Sequence, residues 1–358
     1  MFGGSKNLVG IDIGSSSIKL VEVKRGKKGI SLVHFRMVPL PSETIVDGAI
    51  MNAAAVVEAL NELLAQERIK TRDVATSVAG HSVIVKKIKL PQMNEQELEE
   101  SIQWEAEQYI PFDINDVNIA VQILGNDEQD VGQMDVLLVA AKKDLINDYT
   151  AVLTEAGLNP LIMDVDAFAI ENMFEANYGV QEGQTIVLAN IGASTINLNI
   201  LKNGVSTFTR DISMGGNQFT EEIQKQLNVS YEEAESLKLG GELGGPSDTT
   251  DAVIPQEVGG IIRSVSEALA GELQRSLDFF SATAGESRIA KAYLSGGSSK
   301  VPGLPAVMEA KLGIPVEIVD PFKNIQIDEK NFNVTHIKEV APATAVAVGL
   351  SLRYVGDR

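Results

Sequence analysis

The sequence contains no cysteine and few histidines, which excludes several kinds of site. Without cysteine, its 358 residues cannot form a disulfide, a zinc-finger site or a thiol nucleophile. This composition is typical of a cytoplasmic protein. The three histidines, His34, His81 and His336, are far apart in the sequence. We therefore expect neither a histidine-based metal site nor a catalytic triad.

Positive charge and long apolar runs are also scarce. The chain has 30 Lys and Arg against 49 Asp and Glu, a formal net charge of −19. This sign disfavours nucleic-acid binding, which depends on Lys and Arg at phosphates, and adsorption to anionic lipid. No segment approaches the ~20 apolar residues of a membrane span, and the N-terminus lacks the apolar core of a signal peptide. We expect no nucleic-acid partner and no direct membrane span.

The residues that are present predict a globular α/β protein. Hydrophobic residues make up 44% of the chain and charged residues 22%, which is enough to build full cores. The length predicts two or three domains, at roughly 150 residues each. The first half combines strand-like segments with a helix near 51–67, whose apolar residues recur at helical spacing. This order is typical of a domain built on a mixed sheet.

One segment of the sequence occurs twice. Residues 8–24 are LVGIDIGSSSIKLVEVK and residues 186–202 are IVLANIGASTINLNILK, which align without gaps at an offset of 178. Each copy predicts an apolar strand, a turn of glycine and small hydroxyl residues, and a second strand. Backbone N–H groups in such a turn form a concave anion site. The two turns predict related domains that hold one polyphosphate between them.

Each motif also has an ordinary interpretation. Alone, the first turn (14–17) would be a serine-rich hairpin, although Lys19 beside it supplies a point charge for phosphate. The second turn (192–195) shares its spacing, which favours a common function over two unrelated hairpins. A third motif, Ser295-Gly296-Gly297-Ser298, follows a predicted strand. A lone Gly-Gly is usually a turn, but after two phosphate hairpins it is a candidate base-binding loop.

Residues 86–164 predict a small subdomain inserted into the first domain. A capping-box pattern at Asn94 opens a strongly acidic helix, in which Leu98 and Ile102 are expected to face the core. The same helix carries Trp104, the one tryptophan of the chain. The remaining predicted elements are strands at 117–124 and 134–141, a helix at 144–156 and a strand at 161–163.

The order of these motifs resembles that of the actin/Hsp70/sugar-kinase superfamily. The motifs are two phosphate hairpins, a Gly-Gly loop and a C-terminal helix of small residues (341–353). The insertion lies where the cell-division protein FtsA has its distinctive subdomain. The segments ESIQWEAEQYIPF, LVGIDIGSSSIKLVEV and AGLNPLIMDVDAFAIEN resemble the type IV pilus assembly PilM family, and the resemblance covers essentially the whole chain. It implies an α/β fold of duplicated ribonuclease-H-type domains, as in actin and Hsp70, with an FtsA-type inserted subdomain, 1C.

The resemblance implies four subdomains. Domain 1A would comprise 1–85, 165–184 and 341–358, subdomain 1C 86–164, domain 2A 185–210 and 286–340, and domain 2B 211–285.

The resemblance also implies a site for ATP and Mg²⁺. Asp12 would face the magnesium through water, and Asp166 would lie near the attacking water, although a helix N-terminal acid is an equally good explanation for Asp166. Glu235 and Lys238 match a Glu-x-x-Lys helix that contacts ribose and base, although a surface ion pair would have the same spacing. The remaining cofactor-binding residues would be Gly14, Ser15, Ser16, Ser17 and Lys19 on one side, Asn190, Gly192, Ala193, Ser194 and Thr195 on the other, and Gly296, Gly297 and Ser298 at the adenosine.

One residue departs from the superfamily pattern. The second hairpin normally begins with Asp, and here the residue is Asn190. This removes a carboxylate from the magnesium side, and phosphoryl transfer depends on the metal and a positioned water. We therefore expect nucleotide binding with weak or absent hydrolysis.

The resemblance finally implies a scaffold of the type IV pilus machine. Its expected partner is the cytoplasmic N-terminal tail of the inner-membrane protein PilN, received in a groove between the first domain and the insertion. Through PilN it would contact the PilO complex indirectly, and the resemblance allows contacts with motor ATPases, the platform protein and further copies of the chain. The expected location is cytoplasmic, peripheral to the inner membrane.

Two alternatives come from the same superfamily. A small-molecule kinase would need a sugar-binding segment, and none is evident in the sequence. An FtsA-like, filament-forming division protein typically has a linker and an amphipathic membrane helix at its C-terminus. The last residues, RYVGDR, show neither, which favours the pilus protein.

Overall fold

The computed structural model describes residues 8–27, 29–66, 69–126, 130–240, 256–284 and 288–357. The elements of the first half are β1 (Val9–Ile13), β2 (Ser17–Gly26), β3 (Gly29–Pro39), β4 (Ile45–Val46), β5 (Ala49–Ile50), α1 (Ala53–Gln66), β6 (Asp73–Val78), β7 (Val83–Pro91), α2 (Glu95–Glu107), β8 (Val117–Asn126), β9 (Gln133–Lys142), α3 (Lys143–Glu155), β10 (Asn159–Val165) and α4 (Asp166–Tyr178).

The second half continues with the same kinds of element. They are β11 (Thr185–Ile191), β12 (Ile196–Lys202), β13 (Val205–Ile212), α5 (Gly216–Leu227), α6 (Tyr231–Lys238), α7 (Gln256–Ala284), β14 (Ile289–Ser295), α8 (Leu304–Leu312), β15 (Val316–Ile318), β16 (Ile325–Gln326), α9 (Val334–Val340) and α10 (Ala345–Ser351). Short 3₁₀ turns lie at Ile114–Asp116, Gly297–Lys300 and Ala341–Thr344.

Two large sheets share one topology. The first has the order β10-β6-β1-β2-β3-β16 and the second the order β13-β12-β11-β14-β15. In each, a buried central strand pairs antiparallel with the next strand of its hairpin and parallel with a later strand on its other side. The sequence repeat is therefore a repeat of folds, and the predicted duplicated α/β architecture is confirmed.

Helices α4 and α10 lie between the sheets and make backbone contact. The C-terminal segment of small residues packs closely on α4, and Gly349 shows why. A Cβ on Gly349 would lie 1.7 Å from the carbonyl oxygen of Ala169, so any larger residue would force the two helices apart. The buried cluster around this crossing contains residues of both halves of the chain, including Phe174 and Tyr293.

The inserted subdomain is smaller than predicted. Its sheet has the order β7-β9-β8, with α2 packed on β8, and it forms a hydrophobic cluster of its own. The prediction extended it through residue 164, but α3 packs against α1 and β10 pairs in parallel with β6. Residues 143–164 therefore belong to the first sheet, because their apolar side chains complete the core beneath it.

The acidic helix of the insertion is built as the sequence indicates. Asn94 and Glu97 make both hydrogen bonds of the capping box, at 2.9 Å each. Leu98 and Ile102 are buried, whereas Trp104 is 80% exposed and contributes little to the core.

One part of the predicted domain 2A pairs with the first sheet instead. Strand β16 pairs with β3 of the first sheet, and Phe322 and Ile337 join the cluster between the halves, so the end of the segment 286–340 leaves domain 2A. Helices α5 and α7 share one hydrophobic cluster with the strands of the second sheet. The described part of 211–285 therefore completes that core. Among the described residues, no helix has the length and apolar character needed to cross a membrane.

Candidate functional site

The two repeated turns face each other across a cleft. In the first, the Gly14 N–H donates to the carbonyl of Ser17 at 3.1 Å, and in the second the Gly192 N–H donates to that of Thr195 at 2.9 Å. The hydroxyl of Ser194 donates to that of Ser15 at 2.9 Å, which joins the turns across the cleft. The turns thus have matching geometry and lie within one hydrogen bond of each other.

The cleft has a volume of about 320 Å³, within the range of small-molecule sites. Every site residue proposed from the sequence lines it, although the residues come from both halves of the chain. They are Asp12, Gly14, Ser15, Ser16, Ser17, Lys19, Asp166, Asn190, Gly192, Ala193, Ser194, Thr195, Glu235, Lys238, Gly296, Gly297 and Ser298.

The first turn carries a buried ion pair. Asp12 and Lys19 lie opposite each other in the β1–β2 register, with Lys19 Nζ 3.2 Å from Asp12 Oδ2. Each residue is only 8% exposed. The nearby Ser17 hydroxyl is also buried and forms no hydrogen bond within the described chain. Because buried hydroxyls normally have a partner, this oxygen is available to a ligand.

The second turn carries two amides at the equivalent positions. Asn190 and Asn197 are opposite each other in the β11–β12 register, and Asn190 Nδ2 donates to Asn197 Oδ1 at 2.9 Å. Both residues of the ion pair in the first hairpin, the acid and the base, therefore have an amide in their place in the second hairpin. The sequence interpretation noticed Asn190 alone, although the offset of 178 also relates Lys19 to Asn197. The repeat itself was the signal that could have found Asn197.

Asp166 lies at the first turn of α4, at the bottom of the cleft. Burial, and next the nearby carboxylate of Asp12, raise the pKa of Asp166 to about 7. The Ser77 hydroxyl donates to Asp166 Oδ1 at 2.6 Å and opposes this rise, as does Lys19. Sequence reasoning missed Ser77, which lies near the end of β6, a strand distant in sequence from Asp166.

Burial also raises the pKa of Tyr149, and the carboxylates of Asp166 and Asp12 add to that rise. The Tyr149 hydroxyl donates to the Gly48 carbonyl at 2.9 Å, and both residues line the cleft. Nothing in the local sequence marked them.

Glu235 and Lys238 form the ion pair that their spacing allows, but it faces the cleft. Lys238 Nζ lies 2.5 Å from Glu235 Oε1 and donates to Thr220 Oγ1 at 3.1 Å, and Lys238 is only 7% exposed. The Thr220 hydroxyl also donates to Glu235. The alternative of a solvated surface pair is therefore wrong, because α6 packs against α5 and turns both side chains inward.

The Gly-Gly loop packs tightly against the second turn. Gly296 has φ +87°, and a Cβ there would lie 2.2 Å from the Ile191 carbonyl, so glycine is required. The Ser298 hydroxyl donates to the Gly192 carbonyl at 2.9 Å, and the Ser295 hydroxyl donates to Asn190 Oδ1 at 3.2 Å. The loop that follows β14 is thus joined to the second of the two repeated turns.

The chain is similar to known proteins over nearly its whole length. The family model of the type IV pilus assembly protein PilM matches residues 10–355. A solved PilM–PilN type IV pilus biogenesis complex contains a chain 31% identical to this one, with 98% of this chain and 99% of that chain covered and a TM-score of 0.85.

More distant structures share the fold alone. The ethanolamine utilization protein EutJ from Carboxydothermus hydrogenoformans is 16% identical, with 97% and 89% of the two chains covered and a TM-score of 0.58. MreB5 of Spiroplasma citri, in a structure with bound ADP, is 13% identical, with 96% and 94% covered and a TM-score of 0.51.

Proposed function

Because the chain belongs to the type IV pilus assembly protein PilM family, we propose that it is an actin-like scaffold of the type IV pilus machine that binds ATP and PilN. In this proposal ATP lies in the cleft between the two hairpins, and the cytoplasmic N-terminal tail of PilN binds elsewhere on the surface. The chain then links the membrane proteins of the alignment complex, PilO indirectly, to the motor side.

The facing pair of phosphate-type turns is the observation that carries nucleotide binding. Two turns with matching backbone hydrogen bonds lie one hydrogen bond apart, with Lys19 beside the first. The buried, unpartnered hydroxyl of Ser17 suits a phosphate oxygen. Glu235 and Lys238 also line the cleft and offer groups for the ribose and base, as does the Gly296-Gly297 loop.

Magnesium fits the same site only together with the nucleotide. Among the described residues, no three or more acidic or histidine side chains cluster as a metal site. The carboxylate of Asp12 is close enough to that of Asp166 to help raise the pKa of Asp166. Mg²⁺ commonly combines one or two carboxylates with water and substrate phosphates, so Asp12 would hold it through water. When bound, the ion would screen the negative charge of the phosphates.

Slow hydrolysis follows from the second hairpin. Where the first hairpin has a carboxylate, the second has the amide of Asn190, whose nitrogen and oxygen are engaged by Asn197 and Ser295. An amide of this kind carries no charge toward the metal and is not a base. We propose that the cleft retains ATP as a ligand that stabilises one arrangement of the two halves.

The proposed location is the cytoplasmic face of the inner membrane, through PilN. A net charge of −19 opposes direct adsorption to anionic lipid, so a protein partner would supply the attachment. The predicted site for the PilN tail is the groove between the first large sheet and the inserted subdomain.

Calorimetric titration with a synthetic PilN N-terminal peptide tests the scaffold function. We expect saturable binding of one peptide per chain, with an affinity that changes when ATP and Mg²⁺ are present. The change must be reciprocal, so the peptide should alter the ATP affinity by the same factor. A peptide of the same composition in scrambled order is the control. Equal, weak binding of both peptides in either nucleotide state would exclude the proposed partner.

A further inference from the structure

Asp211 ends a chain of hydrogen bonds that begins at the candidate base-binding loop. The chain runs from Ser295 through Asn190 to Asn197, and Asn197 Nδ2 donates to Asp211 Oδ1 at 2.9 Å. Asp211 lies opposite Asn197 in register, on the edge strand β13. Asn197 is buried, so its amide depends on these protein partners.

Asp211 determines which groups donate and which accept along this series of hydrogen bonds. An asparagine amide can turn over and exchange donor for acceptor, whereas an ionised carboxylate only accepts. Because Asp211 accepts, Asn197 must direct its NH₂ group toward it and its oxygen toward Asn190. Asn190 then directs its own NH₂ group to Asn197 and its oxygen to the Ser295 hydroxyl. Without the carboxylate, both amides would lose this orientation beside the second phosphate turn.

The second oxygen of Asp211 reaches the other half of the molecule. The backbone N–H of Gly80 donates to Asp211 Oδ2 at 2.6 Å. The side chains of His81 and Ser213 are hydrogen-bonded beside it, with Nε2 and Oγ 2.9 Å apart. Both contacts join the end of β13 to the turn between β6 and β7.

That turn is the entrance to the inserted subdomain. Strand β6 belongs to the first large sheet and β7 to the small sheet. The polypeptide therefore passes from the first sheet into the inserted subdomain at residues 79–82. The returning chain lies beside it, because the Lys142 N–H donates to the Ser82 carbonyl at 3.0 Å. A contact that fixes this turn therefore also fixes the point at which the subdomain joins the first sheet.

We propose that Asp211 is a positioning residue that couples the phosphate cleft to the inserted subdomain. One oxygen orients the Asn197–Asn190 amides of the second phosphate hairpin, and the other holds the turn from which the subdomain departs. Closing the cleft around a ligand and fixing the base of the subdomain are then one event. This inference rests on the proposed function as a nucleotide site.

Amide hydrogen exchange of the full-length protein tests the coupling, with Asp211→Asn as the variant. This change keeps the size of the side chain but removes an acceptor. Without nucleotide, we expect the Gly80 amide to exchange about tenfold faster in the variant, because a hydrogen bond to a charged acceptor is lost. With ATP and Mg²⁺ at a concentration that titration shows to saturate each protein, exchange across 79–82 should slow in the wild type and stay unchanged in the variant.

Asp278→Asn is the matched control, since Asp278 is an exposed carboxylate on α7 that accepts a bond from Gln274. It should leave exchange at 79–82 at the wild-type rate. Equal Gly80 exchange in wild type and Asp211→Asn without nucleotide would overturn the proposal, as would an undiminished ATP effect in the variant. If the wild type binds no ATP, the proposed function fails, and the nucleotide-free comparison still decides whether Asp211 holds Gly80.

Discussion

The two hairpins differ in the charge of a single cross-strand pair. In the first, Asp12 and Lys19 attract each other in a buried place, and a ligand phosphate would compete for the lysine. In the second, a hydrogen bond joins the neutral amides of Asn190 and Asn197. The cleft is therefore asymmetric, with a charged pair on the first side and oriented amides on the second. In the proposed function, phosphate and metal would bind on the charged side.

Replacing Lys19 by Ala should raise the Kd for ATP by at least tenfold. The variant loses a charged donor to phosphate, a bond of about 1.5–3 kcal/mol, and leaves the Asp12 carboxylate unpaired beside the ligand. Lys24→Ala is the control, because Lys24 lies on the same strand but is exposed. Titration calorimetry measures both. Equal affinities of the two variants would show that Lys19 does not contact the nucleotide.

Asn190→Asp should destabilise the fold, and Asn197→Lys should reverse the loss. The new carboxylate would meet the Asn197 oxygen in place of a donor, with the Asp211 carboxylate just beyond. We expect the free energy of unfolding to fall by about 1–3 kcal/mol. The double variant places an Asp–Lys pair like Asp12–Lys19 in the second hairpin. It should recover most of the lost free energy of unfolding. Denaturant unfolding of the four proteins gives the coupling energy, and a coupling near zero would contradict this explanation of the paired replacement.

At the scale of elements, α4 and α10 connect the two sheets. Backbone contact at Gly349 joins the helices, and Glu171 of α4 lies partly buried, with its carboxylate 3.3 Å from the Asn199 amide of β12. The packing of these two helices therefore helps to determine how the two halves sit relative to each other.

Gly349→Ala should lower the melting temperature markedly. A methyl group has no room 1.7 Å from the Ala169 carbonyl, and overpacking of this kind costs about 1–3 kcal/mol or more. Gly260→Ala on α7 is the matched control, since Gly260 is exposed and a Cβ there meets nothing within 4 Å. It should be stabilising by about 0.5–1 kcal/mol, the ordinary helix preference. A neutral Gly349→Ala would mean that the helices do not touch as described.

Glu171 should make stability depend on pH. Burial, and then the carboxylates of Glu175 and Asp164, raise the pKa of Glu171 from 4.5 to about 7, while the hydrogen bond from Asn199 lowers it. The folded protein therefore binds a proton that the unfolded chain has lost, and the free energy of unfolding falls as pH rises through the folded pKa.

Glu171→Gln should accordingly be more stable than the wild type at about pH 8.5 and no more stable at about pH 5. Glu155→Gln, an exposed position at the end of α3, is the control and should show little difference at either pH. Urea unfolding at both pH values measures the effect. A Glu171→Gln benefit that is equal at both pH values would exclude the titration of this carboxylate as its cause.

At the scale of the whole molecule, the sequence predicted the features that are repeated or local. The duplicated hairpin indicated both sheets and both turns, and the resemblance to the superfamily implied the Glu235–Lys238 helix. Long-range pairing was not predictable in the same way. Strand β10 returns to β6, and β16 crosses to β3, because they complete distant cores, and no local pattern records this. Asp211 was missed for the same reason, since its partners are 14 and 131 residues away.

The two halves are therefore best described as one clamp with an attached subdomain. The hairpins face each other across the cleft, α4 and α10 pack between the two sheets, and the insertion departs beside the second hairpin through the Gly80 turn. In this arrangement a bound nucleotide would stabilise one relative position of the halves. The binding of PilN beside the insertion would then depend on that position.

The most direct test of the central claim is to mix the purified protein with stoichiometric ATP and Mg²⁺, remove free nucleotide, and determine what remains bound over time. We predict that ATP is retained and stays largely uncleaved over many minutes, and that Lys19→Ala retains little. Absence of bound nucleotide, or cleavage at an ordinary enzymatic rate of about 10 s⁻¹ that disappears in Lys19→Ala, would contradict the account.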